Sequence, residues 1–459
     1  MKETIKFLHT ADIHLGRPLK SASQAPNYLS ELFNEASYRV LENIVDLAIK
    51  RKLDFIVISG DLYDSEARSV KASRVFFEQC QRLKEFNIPV YLISGNHDPG
   101  GQEYELFDYP DNVYFYSSEE VESNNFKSET GKTLARIIGQ SYRSKFESRK
   151  MYSYYTVPDK NYFNLGLIHT QLNPDNSRYV PVSQTELKSK DDIHYWALGH
   201  IHQPLVLNRS TPALVYSGTP QGHNISEVGV KGCFIVEANI KNPEIMPQLQ
   251  FVPTSNVIYK KIEVDISEEK SLKTLSDLQK LLLKRAEVYL NSNYNEEIDF
   301  FGLDYDNVSI DGKVPVKGLI IRWVITGHGP LHKKISSNQD EAEVDLKNYL
   351  NKYLASPGVR PFAWTHSIKI RTTRELPDLE EIKENEIYQE VEKIIQEIFN
   401  NSELETELLS EWGSIWEGEE DHENRDNDSF YPDSETKQEI IEAAREQIIA
   451  YLFTRGEDV

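Results

Sequence analysis

Side chains that commonly bind metal ions recur through the first half of the chain, each just after a short apolar run. They occur as Asp-x-His, Gly-Asp-x-x-Asp, Gly-Asn-His-Asp, a single His and Gly-His-x-His. In chain order the residues are Asp12, His14, Asp61, Asn96, His97, Asp98, His169, His200 and His202. Carboxylate, imidazole and amide groups together suit first-row metals such as Mn, Fe and Zn. The residue types therefore indicate metal-assisted chemistry.

The apolar runs before these residues have the length and composition of buried strands. They are IKFLHTADIH, FIVISGD, VYLISGNHD, LGLIHT and YWALGHIH. Helical patterns near Ser30–Lys52 and Ser69–Phe86 separate the first three, and such alternation is typical of an α/β domain. Ligands of open α/β folds bind beyond the carboxyl ends of strands. Each motif alone is more often structural, but the ordered set predicts one metal site.

The pattern changes near Pro253, where a smaller α+β unit begins. We predict helices near Glu268–Asn291 and Glu341–Leu354, and strands at Lys317–Thr326 and Ser367–Thr372. After Pro377 a helical pattern covers Leu379–Phe399. Ile387, Val391, Ile394, Ile395 and Ile398 share its apolar face. The predicted domains are residues 1–253, 254–375 and 376–459, with a flexible linker near 417–434.

Charge and composition limit the class of protein. The net charge is −22, and Leu376–Val459 carries 26 acidic and 6 basic residues, so the body of the chain is nearly neutral. Bulk charge therefore argues against a simple sequence-specific DNA-binding protein, but it does not exclude an enzyme with a local basic groove. The two cysteines exclude a disulfide scaffold. Without an apolar leader or spanning segment, we expect a cytoplasmic protein.

The ordered motifs resemble those of the calcineurin-like metallophosphoesterase superfamily, over roughly residues 5–235. HTADIHLGRPL, ISGNHD, GHIHQP and SGTPQGHNISEVGVKG are most similar to the SbcD-type DNA-repair nuclease subunits, in particular the YhaO-like branch. The resemblance implies an α/β fold: a β-sandwich flanked by helices (αββα), then a small α+β capping domain and an acidic helical tail.

The resemblance also implies two divalent metal ions, Mn²⁺ in this family, and a role for each motif residue. Asp12, His14 and His202 would bind one ion. Asn96, His169 and His200 would bind the other, and Asp61 would bridge both. His97 would stabilise the transition state or protonate the leaving oxygen. Asp98 would orient His97, with a turn residue that caps its own backbone as the alternative.

The expected function is that of an Mn-dependent DNA phosphodiesterase, an exonuclease or endonuclease in DNA repair or end processing. It would hydrolyse phosphodiester bonds with a water activated by two metals. The implied partners are DNA, an SMC-like coiled-coil ATPase (SbcC/YhaN-like) and a second copy of the chain. The alternatives are a phosphoesterase acting on small molecules or phosphoproteins, and a non-catalytic scaffold subunit.

Three further features leave alternatives open. Arg17 follows the first motif and is a candidate phosphate contact. His223 either reaches the metal site or is a surface loop residue. A last helix is predicted from a capping box at Thr436–Glu439, with a basic last turn and stop at Arg455 and Gly456. Its apolar face comprises Ile440, Ile441, Ala444, Ile448, Ile449 and Leu452. This face would dock on the chain itself or on the ATPase.

Overall fold

The structure, a computed structural model, describes most of the chain. The described residues are 3–64, 68–100, 106–157, 162–173, 178–208, 210–267, 269, 271–294, 298, 308–373, 382–401, 404 and 434–453. Residues 417–433 of the linker predicted near 417–434, and the predicted stop at Arg455 and Gly456, lie outside these residues, whereas Ser434 is helical.

Sixteen strands occur in the described part of the chain. They are β1 (Thr4–Thr10), β2 (Phe55–Ser59), β3 (Val90–Ile93), β4 (Val113–Phe115), β5 (Glu122–Lys127), β6 (Thr133–Gly139), β7 (Phe163–His169), β8 (Tyr195–Gly199), β9 (Leu205–Val206), β10 (Ala213–Tyr216), β11 (Gly232–Asn239), β12 (Gln248–Pro253), β13 (Val257–Asp265), β14 (Val308–Ile310), β15 (Gly318–Thr326) and β16 (Phe362–Ile370).

Helices connect and flank these strands. They are α1 (Asn27–Asn34), α2 (Ala36–Arg51), α3 (Val70–Glu85), α4 (Gln184–Lys188), α5 (Leu275–Leu290), α6 (His332–Ile335), α7 (Gln339–Leu354), α8 (Glu386–Asn400) and α9 (Ser434–Phe453). Two short 3-10 turns lie at Lys20–Gln24 and Met151–Tyr154.

Two large sheets form the centre of the fold. The first has the order β14-β12-β11-β1-β2-β3-β4, and the second β5-β6-β7-β8-β10-β9. β1, β2 and β3 are parallel neighbours in the first sheet, as are β7 and β8 in the second. The carboxyl ends of each parallel set therefore lie along one sheet edge, which is where the polar motifs follow.

The two sheets pack face to face through aromatic side chains. The Phe7 ring stacks on Phe55 in its own sheet at 4.9 Å, and lies 5.4 Å from Tyr195 and 6.3 Å from Phe163 of the second sheet. On the outer face of the first sheet, α2 and α3 bury Ile44 and Leu83 in a core shared with the strands. Helices thus flank facing sheets, which confirms the predicted fold class. Strands covered on both faces are apolar throughout, rather than alternating.

The helix boundaries differ locally from the sequence prediction. The pattern at Ser30–Lys52 is two helices, because Glu35 adopts φ −95° and ψ 0° between α1 and α2. α5 begins at Leu275 because Thr274 caps it: the Asp277 N–H donates to Thr274 Oγ1 at 3.2 Å, and Thr274 Oγ1–H donates to Asp277 at 2.7 Å. β16 begins at Phe362, earlier than predicted.

The chain divides into two compact units that are discontinuous in sequence. The first comprises Met1–Lys261, Leu283–Arg322 and Tyr349–Ser367, and the second Ile262–Leu282, Trp323–Asn348 and Ile368–Val459. A three-stranded sheet has the order β13-β15-β16, and helices and strands are mixed between residues 254 and 373. The domain boundaries predicted at residues 253 and 375 stay a prediction.

Within the second unit, α8 and α9 pack against each other. Ile395 and Ile398 of α8 and Ile441 of α9 form one buried cluster. Arg445 Nε donates to Glu392 Oε1 at 2.7 Å across the pair. The predicted capping box is wrong in position, because α9 begins at Ser434 and Thr436 lies inside the helix.

Candidate metal centre

The polar residues singled out in the sequence lie where the parallel strands end. Asp12 and His14 follow β1, Asp61 follows β2, and Asn96 follows β3. In the second sheet, His169 is the last residue of β7, and His200 follows β8. The structure therefore brings together residues that are far apart in the sequence.

Asp12, His14 and His202 form one group of potential ligands. Their candidate ligand atoms all lie within 4.8 Å of one another. The Nε2 atoms of His14 and His202 are 3.3 Å apart, and His202 Nε2 lies 4.0 Å from Asp12 Oδ1. Two imidazole nitrogens and a carboxylate that converge in this way can share one cation.

Asn96 is the centre of the second group. Its Oδ1 atom is 2.9 Å from His169 Nε2 and 3.0 Å from His200 Nδ1. Asp61 Oδ2 lies 3.5 Å from His169 Nε2, and Asp61 also belongs to a set of close ligand atoms with Asp12 and His169. Asp61 thus lies beside both groups. That these residues bind metal ions, in the two sets that the resemblance implies, stays a prediction.

The backbone is held in an unusual conformation at this site. Asp12, His14, Asp61 and His200 have φ values of 51°, 47°, 50° and 98°, in the left-handed region. Such residues cost free energy and cluster at functional sites. Backbone bonds hold them: the Asp12 N–H donates to Gly60 O and the His14 N–H to Asp61 O, both at 3.1 Å. The connections between neighbouring strand ends therefore determine where the side chains lie.

Burial sets the protonation of these groups. Burial raises the pKa of Asp12 to about 6, against the favourable charges of His202 and His169. Burial, followed by the charge of His97, holds the pKa of His14 well below its ordinary value, and burial does the same for His200. Neutral imidazoles have the free lone pair that a metal ligand requires.

The donor set fits a pair of divalent cations. Asp12, Asp61, His14 and His169 are at most 1% exposed, which is unfavourable for two carboxylates without a compensating charge. His14 Nδ1 is moreover buried and has no hydrogen-bond partner among the described residues. Mixed oxygen and nitrogen ligands suit Mn, Fe or Zn. The residues present are therefore those of a candidate two-metal centre.

His97 lies at the rim of the centre. Its side chain is 27% exposed, whereas its backbone N–H donates to Asp61 Oδ1 at 2.9 Å. Its ring centroid is 4.9 Å from that of His14, at right angles. Exposure beside the two ligand groups leaves the imidazole accessible to a substrate.

Both carboxylate oxygens of Asp98 accept hydrogen bonds from backbone N–H groups. Oδ1 accepts the N–H of Gly95 at 2.7 Å, and Oδ2 accepts the N–H of Tyr63 at 3.1 Å. This is the backbone-capping alternative left open by the sequence. The carboxylate beside His97 is instead that of Asp64, whose Oδ2 is 3.9 Å from His97 Nδ1. The same oxygen is 3.3 Å from Arg17 Nη1, so the candidate phosphate contact pairs with Asp64.

Glu227 is a site residue that sequence reasoning did not single out. Its Oε1 atom accepts from His202 Nδ1 at 3.2 Å, which directs Nε2 towards His14. Burial alone would lower the pKa of His202, but the charge and hydrogen bond of Glu227, together with the charges of Asp12 and Asp61, outweigh it and raise that pKa to about 9. The sequence pointed to Glu227 only through its presence in the SGTPQGHNISEVGVKG segment. Spacing could not pair it with His202, because the two residues are 25 positions apart.

Comparison with known proteins relates part of the chain to a family. Residues 5–204 match the family model for calcineurin-like phosphoesterases. Over this segment the chain is a match to the metallophosphoesterases, a family of hydrolases. The resemblance seen in the motifs is thereby confirmed. Among the described residues, no helix has the length and apolar character needed to cross a membrane.

Individual relatives lie in the same family. The metallophosphoesterase YhaO of Bacillus subtilis is 33% identical over 277 residues, which are 60% of this chain and 66% of that protein. The DNA double-strand break repair protein Mre11 of Methanococcus maripaludis is 31% identical over 232 residues, 49% of this chain and 59% of that protein. The Mre11 protein of Methanocaldococcus jannaschii is 29% identical over 224 residues, 47% and 56% respectively. The matches thus span less than two thirds of these relatives.

Proposed function

We propose that the protein is an Mn²⁺-dependent DNA phosphodiesterase that acts in DNA repair or end processing. The observation that carries this proposal is the pair of ligand groups around Asp61, with the exposed His97 imidazole at their rim. The similarity to two Mre11 proteins, whose names refer to double-strand break repair, supports DNA as the substrate.

The protein's own residues would bind and orient the reacting groups. Asp12, His14 and His202 would hold one ion, and Asn96, His169 and His200 the other, with Asp61 shared between them. Two divalent ions held in this way supply Lewis-acid activation of water and of the phosphoryl group. The His202 side chain is oriented by Glu227, and that of His169 by its Nδ1–H bond to Ser59 O at 3.0 Å.

His97 would act on the leaving group. Hydrolysis forms one bond from phosphorus to the water oxygen and breaks the bond to the leaving alkoxide, which requires a proton. A partly exposed imidazole beside the ligand groups can donate that proton, or a hydrogen bond to the phosphoryl oxygen. The Asp64 carboxylate lies 3.9 Å from His97 Nδ1.

The proposed partner is an SMC-like coiled-coil ATPase (SbcC/YhaN-like), and a homodimer is proposed by the same resemblance. Support comes from apolar side chains that stay exposed on α8 and α9. Ile387, Ile394, Ile448, Tyr451 and Leu452 are between 41% and 58% exposed. Helices that bury only part of their apolar surface against each other retain a face for a partner helix.

The experiment is incubation with Mn²⁺ of end-labelled single-stranded, blunt double-stranded and hairpin DNA, beside a chromogenic phosphodiester. We expect cleavage of at least one DNA, lost on chelation and in Asp61→Asn. Cleavage of the chromogenic substrate without any DNA would favour a phosphoesterase of small molecules or phosphoproteins. Two bound ions without cleavage of either would favour a non-catalytic scaffold.

A further inference from the structure

His223 is a completely buried histidine with no role in the chemistry described so far. Its exposure is 0%, so it is not the surface loop residue that the sequence allowed. Neither ring nitrogen has a hydrogen-bond partner among the described residues. A buried imidazole without a partner is costly, because at least one nitrogen gives up its hydrogen bond to water.

The backbone holds His223 firmly in place. Its carbonyl oxygen accepts the N–H of Lys20 and the hydroxyl of Tyr259, each at 2.9 Å. Its own N–H donates to Glu227 Oε2 at 2.7 Å. Three hydrogen bonds to three different segments fix the backbone of His223, so its ring can reach only the groups that surround it.

An unsatisfied buried group close to His223 is on His14. The His14 and His223 ring centroids are 5.7 Å apart, and the rings are nearly perpendicular, at 86°. His14 Nδ1 is itself buried and unpartnered among the described residues. At this separation, a small movement closes a direct N–H···N bond, and one water molecule can bridge a longer gap.

Other ligand-group histidines already have an outer partner of this kind. His202 Nδ1 bonds to Glu227 Oε1 at 3.2 Å, and His169 Nδ1 bonds to Ser59 O at 3.0 Å. An imidazole that binds a metal through Nε2 must place the Nδ1–H on an acceptor, which fixes its tautomer and orientation. His14 lacks such an acceptor unless His223 provides it.

His223 does not have the position of a ligand. Among the described residues, three groups of potential ligands have their ligand atoms within 4.8 Å of one another. His14 belongs to two of these groups, and His223 belongs to none. Its place beside His14, outside those groups, is that of a residue which supports a ligand.

We infer that His223 is a positioning residue: it accepts, directly or through one water, the Nδ1–H of His14 and so directs His14 Nε2 towards the metal. The inference rests on the proposed function in one respect, because it requires His14 to bind a metal ion.

The test compares His223→Leu and His223→Gln with the wild-type full-length protein, and uses His328→Gln as a control. Binding of Mn²⁺ is titrated by calorimetry. Loss of an outer partner typically weakens metal binding by about 10–100-fold, and we expect this for one of two ions in His223→Leu. His223→Gln, which restores an acceptor, should recover part of the affinity. His328→Gln should bind as the wild type does.

Two further measurements separate positioning from a purely structural role. The metal-free melting temperature of His223→Leu should not fall, because without metal neither ring nitrogen of His223 has a direct partner among the described residues. In the Co²⁺-loaded protein, the Nδ1–H proton of His14 should give a hyperfine-shifted NMR signal. In the wild type this proton should exchange slowly with solvent, and in His223→Leu its signal should be lost.

The failures can be told apart. A wild-type protein that binds no metal ion overturns the proposed function and this inference together. Two tightly bound ions in both the wild type and His223→Leu, with an unchanged His14 signal, overturn the inference alone. Unchanged metal affinity with a raised KM would make His223 a substrate contact, which also overturns it. A metal-free His223→Leu that melts far lower would show a structural residue instead.

Discussion

The His97 side chain is partly exposed and lies outside the two ligand groups, which predicts a role other than metal binding. Asp12, His14, Asp61 and His169 are at most 1% exposed, whereas the side chains of His97 and of the ligand-group residue His202 are 27% and 26% exposed. His202 Nε2 lies beside His14 and Asp12, so an exposed imidazole outside those groups is the one that can meet a substrate.

We predict that His97→Ala binds both metal ions but loses most activity. Loss of a general acid costs about 10²–10⁴ in rate, and it lowers kcat rather than metal affinity because the group acts on the transition state. Calorimetric titration with Mn²⁺ and cleavage assays on the same preparation measure both. Loss of an ion from His97→Ala would make His97 a ligand.

The ion pair of His202 with Glu227 predicts that metal affinity depends on pH. Without metal, the pKa of His202 lies at about 9, so the ring carries a proton at neutral pH. A metal ion must displace one proton, and affinity should rise by up to about tenfold per pH unit until the pH approaches that pKa.

Glu227→Gln tests the cause of this dependence. The amide removes the largest of the charges that raise the pKa of His202, so that pKa should fall and less of the ring should be protonated near pH 7. The slope of Mn²⁺ affinity against pH should therefore flatten, while Glu→Gln at the distant Glu287 should leave it unchanged. An equal slope in Glu227→Gln would show that another group releases the proton.

The strand ends bring the two sheets so close that a backbone atom of the first sheet contacts residues of the second. Ser59 O, at the end of β2, accepts from His169 Nδ1 at 3.0 Å. A Cβ atom added to Gly199, at the end of β8, would lie 1.9 Å from that oxygen and 2.8 Å from His169 Nδ1. Only glycine permits this approach.

We predict that Gly199→Ala lowers both stability and metal affinity. Overpacking typically costs about 1–3 kcal/mol, and moving Ser59 O releases His169. Gly131→Ala is the control: a Cβ there meets nothing within 4 Å, although its φ of +80° is strained, so metal affinity should stay unchanged. Thermal melting and Mn²⁺ titration provide the measurements. Full metal affinity in Gly199→Ala would contradict the role of this contact.

At the scale of the whole molecule, the residues that each of the two units contains predict which functions can be separated. Every residue of the candidate metal centre lies in the first unit, and α8 and α9 lie in the second. The acidic tail that contains these helices carries nearly all of the net charge. Metal binding and partner binding should therefore respond to different changes.

We predict that deletion of residues 434–459 leaves Mn²⁺ binding and cleavage nearly unchanged but abolishes co-purification with the proposed ATPase. The deletion also uncovers Ile395 and Ile398, which Ile441 covers in the full chain. Ile395→Glu in the full chain is the matched variant, because it disrupts the contact between α8 and α9 without removing any residue. A shortened protein that still co-purifies would place the partner's contact elsewhere. One that loses metal binding would show that the centre depends on the tail.

The sequence alone determined the order of the ligand residues and the edge at which they meet. This was possible because short apolar runs specify buried strands locally, and the carboxyl ends of neighbouring parallel strands meet at one edge. The same local signals placed α3 and α7 well. They failed at the start of α9, since several residues near a helix end can serve as its cap.

The tertiary structure decided which groups support each ligand. Glu227 behind His202, Asp64 rather than Asp98 beside His97, and His223 next to His14 are pairings between distant segments. Spacing along the chain carries no information about such pairs, because they depend on how loops from two facing sheets cross at one edge. Burial was also undecidable locally: the loop that carries His223 reads as polar, yet the fold encloses its ring completely.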